Sequence, residues 1–567
     1  MRHIIGLLLF CFLATVACSS QAFSTLVNFG GGTNGIYPNG TLVLGSDGNL
    51  YGTTSNGGDN SVGTIFEVTP DGVLNTLYSF SYSGGNEPFT GLMQANDGNF
   101  YGTTSQGGGY DVGIVYRMTP GGIVTKIHSF AGWDGVPPSG TLILATDGYL
   151  YGVASYGGTD TIGGTVYKIS LQGALTVVHS FCPNRDCSEG QAPRGTLVQA
   201  SDGNFYGTTS AGGPYCAGNG GCGTVFKLTP DGTLTTLHYF NQSDGAFPYA
   251  GLVLANDGNF YGTTTLGGAQ NYGTVFKITP DGTFTSLHSF NNTDGRLPYG
   301  PLVQASDGYF YGATYQGGLY CQLGCGTVFR ITPQGGFTSL HSFDNSDGNL
   351  SYAGMLESTD GILYGTTSSG GTNYSGTLFR LVLYAGLSVT KSGMGTVSGG
   401  DGKIYCGTMC SYRYNWGAQE SLSAVPAPGY TFAGWTGCDN MDGSYCSVTM
   451  TSAKNVTATF APGNVTLTSL TFKPSYVKGG RLSAGTLTLS AAAPPGGVTV
   501  ALSSDHPGVA HPPAFVFVPG NASSVQFAVN TLPVKSNTTV TITATAGGSQ
   551  VSGTLMVGTT SLPPSLK

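Results

Sequence analysis

The chain has 567 residues, of which 94 are glycine and only 8% are charged, and its formal net charge of −8 leaves no basic stripe for nucleic acid. A hydrophobic content of 40%, with Tyr, Phe, Val and Leu at regular intervals, excludes a disordered glycine-rich polymer. Packed β-sheets are the expectation.

In chain order, residues 1–22 read as a secretory signal peptide: Arg2 precedes the apolar run Ile4 to Val16, too short to span a membrane, and small residues follow. Two processing routes stay open. Thr15-Val16-Ala17-Cys18-Ser19 resembles a bacterial lipoprotein signal with Cys18 as the lipidated residue, whereas Ser20-Gln21-Ala22 suits ordinary cleavage before the first strand. Either route places the mature chain outside the cytoplasm, secreted or at the cell surface.

Residues 23–384 are a repeat array. Tyr-Gly-Thr-Thr or a near copy begins at Tyr51, Tyr101, Tyr151, Tyr206, Tyr261, Tyr311 and Tyr364, and the unit shows clearly from Gly251 to Phe290. Each unit reads as two hairpins, because Asp-Gly and Pro-Asp-Gly separate β-rich runs and their residues accept positive φ. A four-stranded sheet cannot bury two half-apolar faces alone, so copies must pack side by side, as in propeller blades. The ends complement each other: the last copy stops after its third strand, near Leu381, and the array opens with Phe23 to Phe29, which aligns with the fourth strand Phe284 to Phe290. A seven-bladed propeller closed by the N-terminal strand is therefore expected, with no open sheet edge.

Ten cysteines beyond the leader fall into close pairs: Cys182 with Cys187, Cys216 with Cys222, Cys321 with Cys325, Cys406 with Cys410, and Cys438 with Cys446. Local disulfides are the simplest scheme in an exported chain. The first three pairs fall in the loops between second and third strands or in the crossings between sheets. That face carries long, variable loops, and recognition residues are expected there. The candidates are Trp133, Arg185, Glu189, Arg194, Tyr215 and Tyr320, aromatic or charged groups suited to a glycan or a surface protein. Tyr110, Tyr156, Tyr272 and Tyr374 recur in phase and are expected to pack against neighbouring blades.

No catalytic residue, metal or cofactor is assigned. His128, His179, His238, His288 and His341 share one repeat position and are spread round a ring, so they cannot converge on one metal and read as structural. The aspartates before glycine, such as Asp257, are turn formers. Asp344-Asn345-Ser346-Asp347-Gly348 has some look of a calcium loop but lacks its donor register and closing Glu. Two alternatives stay open: a polysaccharide-active enzyme, lyase or hydrolase, which would need a cluster of residues that break the repeat near the centre, and a purely structural surface protein, which would bind no ligand.

Residues 385–462 change pattern. Gly-Tyr-Thr-Phe-Ala-Gly-Trp at Gly429 to Trp435 and Val-Thr-Ala-Thr-Phe at Val456 to Phe460 resemble the internalin-type B-repeat module, which implies a small β-grasp-like spacer or adhesive unit with Trp435 in its core. Residues 463–558 carry seven alternating runs, from Val465 to Val557, and resemble bacterial Ig-like sandwiches. The tail, 559–567, is expected to be disordered and shows no anchor or sorting motif. The repeat itself, with Gly-Thr-Val-Phe-Lys-Ile-Thr-Pro-Asp-Gly at Gly273 to Gly282 and Asp-Gly-Asn-Phe-Tyr-Gly-Thr-Thr at Asp257 to Thr264, is similar to the Gloeobacter/Verrucomicrobia tandem repeats of exported bacterial proteins. That resemblance implies a surface or secreted protein, and binding or adhesion by a monomer is the expected role.

Overall fold

The computed structural model describes residues 22–560 apart from 160–161, 217–219, 323, 428–429 and 495. The expected signal peptide up to Gln21, with Cys18, and the tail from 561 lie outside the described residues. The chain divides into two units after Leu383.

In the first unit each repeat forms one antiparallel sheet, and seven such sheets follow one another. The fifth is representative, with strands Val253–Leu254, Phe260–Thr264, Thr274–Ile278 and Phe284–Ser289. Its first turn is built by Asp257, whose carboxylate accepts the Asn259 N–H at 3.1 Å and the Tyr261 hydroxyl at 2.8 Å, while Gly258 supplies φ +77°. The second strand is buried along its whole length. There Gly262 is required by space: a Cβ would sit 2.6 Å from Phe276 Cζ. Gly262→Ala is expected to destabilise the first unit by about 1–3 kcal/mol, read by chemical denaturation.

Neighbouring sheets meet through aromatic layers, such as Tyr261 stacked on Phe310 at 4.0 Å. The array's two ends meet in the same way. Ala22–Asn28 is the fourth strand of the seventh sheet, antiparallel to Thr377–Val382. Phe23 stacks on His341 at 3.7 Å, as Phe284 does on His238 and Phe337 on His288, both at 3.9 Å. On the other side, Val27 and Phe29 join Leu42, Leu50 and Phe66 of the first sheet in one buried cluster.

The repeated histidines are held by carboxylates. Nε2 of His128, His238, His288 and His341 lies 2.7 to 3.1 Å from the aspartate six residues on, and His179 pairs with Glu189 at 3.1 Å. Each of these aspartates also tightens its own loop: Asp134, fully buried, accepts the Ala131 N–H at 2.8 Å. The loop Asp344 to Gly348 uses its oxygens internally, with Asp347 on His341 and Asp344 Oδ1 taken by Ser346 and the Asp347 N–H. No group of three or more potential metal ligands occurs among the described residues. Asp134→Ala would leave the half-buried imidazole and a backbone donor unpaired, so a loss of about 3 kcal/mol is expected in equilibrium unfolding.

Turn aspartates and tyrosines set a pH window. Burial alone would raise the carboxyls of Asp47, Asp97, Asp202 and Asp257, but hydrogen bonds from neighbouring Asn and Tyr groups, with Lys227 and Lys277 at the last two, hold them below the usual range. The phenols move the other way: desolvation and then the hydrogen bond to Asp97 push Tyr101 up to about 12, and Tyr206 and Tyr261 are raised for the same reasons. A depressed carboxyl adds stability above its unfolded value of 3.8, lost as pH falls through the folded value. A raised phenol adds stability below 10.0, lost as pH rises through the folded value. Thermal midpoints of the first unit should be flat from about pH 5 to about pH 9 and drop on both sides. A midpoint that rose below pH 4 would contradict this.

The second unit holds two modules. Tyr384 to Pro462 forms a four-stranded and a five-stranded sheet around a core that includes Trp435. A β-grasp packs its sheet on a helix. Because the described residues here contain no helix and a second sheet supplies the other half of the core, the β-grasp-like expectation is corrected. Leu467 to Gly558 has nine strands in two sheets over one core, two more than the alternation predicts. The additions, Tyr476–Lys478 and Ala510–His511, are too short to show alternation. The five cysteine pairs are all disulfide-bonded.

Candidate functional site

Where the chain crosses from the outer strand of one sheet to the inner strand of the next, it passes through a short segment that begins with proline in six of the seven repeats. The residue before this segment is held at positive φ in six crossings, at Tyr37, Glu87, Ala192, Phe247, Leu297 and Leu350, between 51° and 60°. Such a conformation is strained for a non-glycine residue and persists only when clamped. At Phe247 the clamp is complete, because its N–H reaches Cys222 O at 2.9 Å and its carbonyl accepts the Thr265 N–H at 3.1 Å.

The seven segments meet at their backbones and ring one cavity. Gly91 lies so close to the Thr41 carbonyl that a Cβ would come within 2.5 Å of it, and Gly251 stands likewise 2.4 Å from the Thr196 carbonyl. The Gly354 N–H donates to Thr41 Oγ1 at 3.1 Å, joining the seventh segment to the first. The cavity has a volume of about 490 Å³, with residues from all seven repeats on its wall. This lies within the range of small-ligand sites.

The residue after the crossing proline, or after Ser351 in the last repeat, decides the wall's chemistry: Asn39, Phe89, Ser139, Arg194, Tyr249, Tyr299 and Tyr352. One arc is aromatic. Tyr249 and Tyr299 are 5.4 Å apart between ring centroids, Tyr299 and Tyr352 5.1 Å, and Tyr352 and Phe89 6.0 Å. Tyr315, where the other repeats have Ser or Thr, backs this arc at 4.5 Å from Tyr352 and 5.3 Å from Tyr299. Residues of the first to fourth sheets add a hydroxyl arc: Thr41, Ser105, Ser139, Thr141, Ser155 and Thr196. Burial first, then hydrogen bonding with Tyr315, pushes the Tyr352 phenol up; burial likewise raises Tyr299, which nearby Arg194 partly offsets. Both stay protonated donors at neutral pH.

Arg194 closes the aromatic arc, its guanidinium 5.1 Å from the Tyr249 ring centroid and a long 3.5 Å from the Tyr156 hydroxyl. Among the described residues it is the single charged side chain on the wall.

Of the residues singled out from sequence, Arg194 lines the cavity and the other five stand outside its wall. Trp133 is exposed in the crossing after the second sheet, and Tyr215 and Tyr320 are exposed beside their disulfides. Arg185 sits in the turn Pro183–Arg185 within the Cys182–Cys187 loop, and Glu189 is engaged by His179. Of the in-phase tyrosines expected to pack on a neighbour, Tyr110 and Tyr374 are about 70% exposed and Tyr156 is 43% exposed, while Tyr272 lies under Arg296. The tyrosines of the arc escape a search confined to loop tips. Their signal is variation after the crossing proline, where otherwise uniform repeats disagree.

Fold and cavity define a propeller-like repeat protein with one ringed, aromatic-walled site. The chain belongs to the Gloeobacter/Verrucomicrobia repeat family, which matches residues 12–158, 72–220 and 215–407. Residues 386–464 match the divergent InlB B-repeat domain. No functionally curated protein matches the chain. Among solved structures, it is similar to a quinoprotein alcohol dehydrogenase-like protein from Bacteroides thetaiotaomicron at 15% identity and TM-score 0.37, over 56% of this chain and 68% of that one. An auxiliary nutrient binding protein from the same organism gives 12% and 0.35, over 63% and 75%. A glycosyl hydrolase from Bacteroides ovatus gives 9% and 0.29, over 64% and 94%. Likeness this remote carries no functional argument.

Proposed function

We propose that this is an exported binding protein whose residues 23–384 close into a seven-bladed propeller and hold a saccharide, free or on a surface protein, in the central cavity of the loop face. The modules at 385–462 and 463–558, the latter an Ig-like sandwich, act as spacers that present it. One observation carries the reading: the cavity wall pairs an aromatic arc with a hydroxyl arc. Rings stack on the apolar face of a pyranose, and hydroxyls with phenol donors serve its rim. Among the described residues the wall has no carboxylate or imidazole, so the pair of acids that glycoside hydrolysis uses has no counterpart among them, and this supports binding over hydrolysis. The five disulfides support export.

A glycan-array screen of the full chain beside a Tyr299→Ala, Tyr352→Ala variant tests this. Hits lost in the variant are expected. Retention of every hit, or an array without hits, would sink the saccharide reading.

A further inference from the structure

Resting on the saccharide reading, one group on the wall remains unmatched. Arg194 is the cavity's single charge, and no acidic side chain pairs with it among the described residues. Its Nε is buried with no hydrogen-bond partner. Its terminal nitrogens carry one long bond, 3.5 Å to the Tyr156 hydroxyl, and an acceptor that uses those N–H groups together would satisfy them. The same position in the other repeats holds Asn39, Phe89, Ser139, Tyr249, Tyr299 and Tyr352, so the cation is a departure and not part of the repeat's architecture. Its cation–π contact with Tyr249, 5.1 Å to the ring centroid, restrains the guanidinium before any ligand arrives, which lowers the entropy lost on pairing.

We propose that the cavity selects saccharides that carry a carboxylate, with Arg194 binding that group as a bidentate partner and the Tyr249 and Tyr299 rings holding the sugar face. A planar guanidinium matches a planar carboxylate through two parallel hydrogen bonds. The cavity volume of about 490 Å³ bounds the ligand to a short oligosaccharide or a chain end.

The test is calorimetric titration of the full chain with sialylated, glucuronate-containing and galacturonate-containing trisaccharides, each beside its carboxyl-reduced neutral counterpart and a sulfated analogue. Wild type is expected to prefer at least one carboxylated sugar over its neutral form by about 30-fold. Arg194→Gln should erase that preference by weakening the carboxylated form far more than the neutral one, and Arg194→Lys should restore part of it. Equal binding of acidic and neutral forms by wild type, an equal loss of both in Arg194→Gln, or a sulfated analogue that binds tightest would overturn the carboxylate assignment alone. If no sugar of the panel binds, or Tyr299→Ala leaves all binding unchanged, the saccharide reading falls and the carboxylate proposal with it.

Discussion

Deletion of residues 22–28 abolishes the cooperative unfolding transition of the first unit and leaves that of the second unit in place. The segment pairs with Thr377–Val382 over its whole length and buries Val27, with Phe29 directly behind it. Its loss exposes the third strand of the seventh sheet as an edge and opens the apolar cluster shared with Leu42, Leu50 and Phe66. Burial of each such side chain is worth about 1.5–3 kcal/mol, and a domain's whole stability is about 5–15 kcal/mol, so the deletion removes most of it. Phe29→Ala, milder, should lower stability by about 3–5 kcal/mol. Differential scanning calorimetry of the full-length and shortened chains reads this directly. An unchanged first transition in the shortened chain would mean that the N-terminal strand is an accessory and not a closure.

If the cavity holds a saccharide as proposed, Tyr299→Ala together with Tyr352→Ala is expected to weaken binding by about 100-fold, since each ring supplies about one factor of ten when it anchors a ligand. Both rings line the cavity, and Tyr315 holds them from behind. The phenylalanine versions separate shape from hydrogen bonding. With the rings kept and the hydroxyls gone, the loss should be tenfold or less, because one neutral hydrogen bond contributes about 1 kcal/mol. Isothermal titration with the strongest array hit checks both, with thermal midpoints measured in parallel to separate lost contact from lost fold. A fall for the phenylalanine pair as large as for the alanine pair would mean that the rings are not a stacking platform.

The repeat is legible in the sequence because each turn needs a particular residue: Asp257 and Gly258 mark one hairpin, Asp281 and Gly282 the next, and these recur. The N-terminal strand is legible for a related reason, since Phe23 stands where Phe284 and Phe337 stand in their repeats. The cavity is harder to read. Phe89 and Tyr352 meet along the wall although nearly the whole array separates them in the chain, and no local pattern announces such a contact. Arg194 stands out because charge is scarce, whereas Tyr249, Tyr299 and Tyr352 hide among many tyrosines. Tyr315 offered a cleaner signal, a ring where the other copies place Ser or Thr. The partners of the histidines could also be found from spacing, because Asp134, Asp244, Asp294 and Asp347 each lie six residues after one.

A crystal structure of the full chain with the strongest array hit is the most direct test. A pyranose ring against Tyr249 or Tyr299, inside the cavity and with its polar groups on the hydroxyl arc, is the predicted result. A ligand seated instead at Trp133 or on the disulfide loops beside Tyr215 and Tyr320, with the cavity left to solvent, would contradict it.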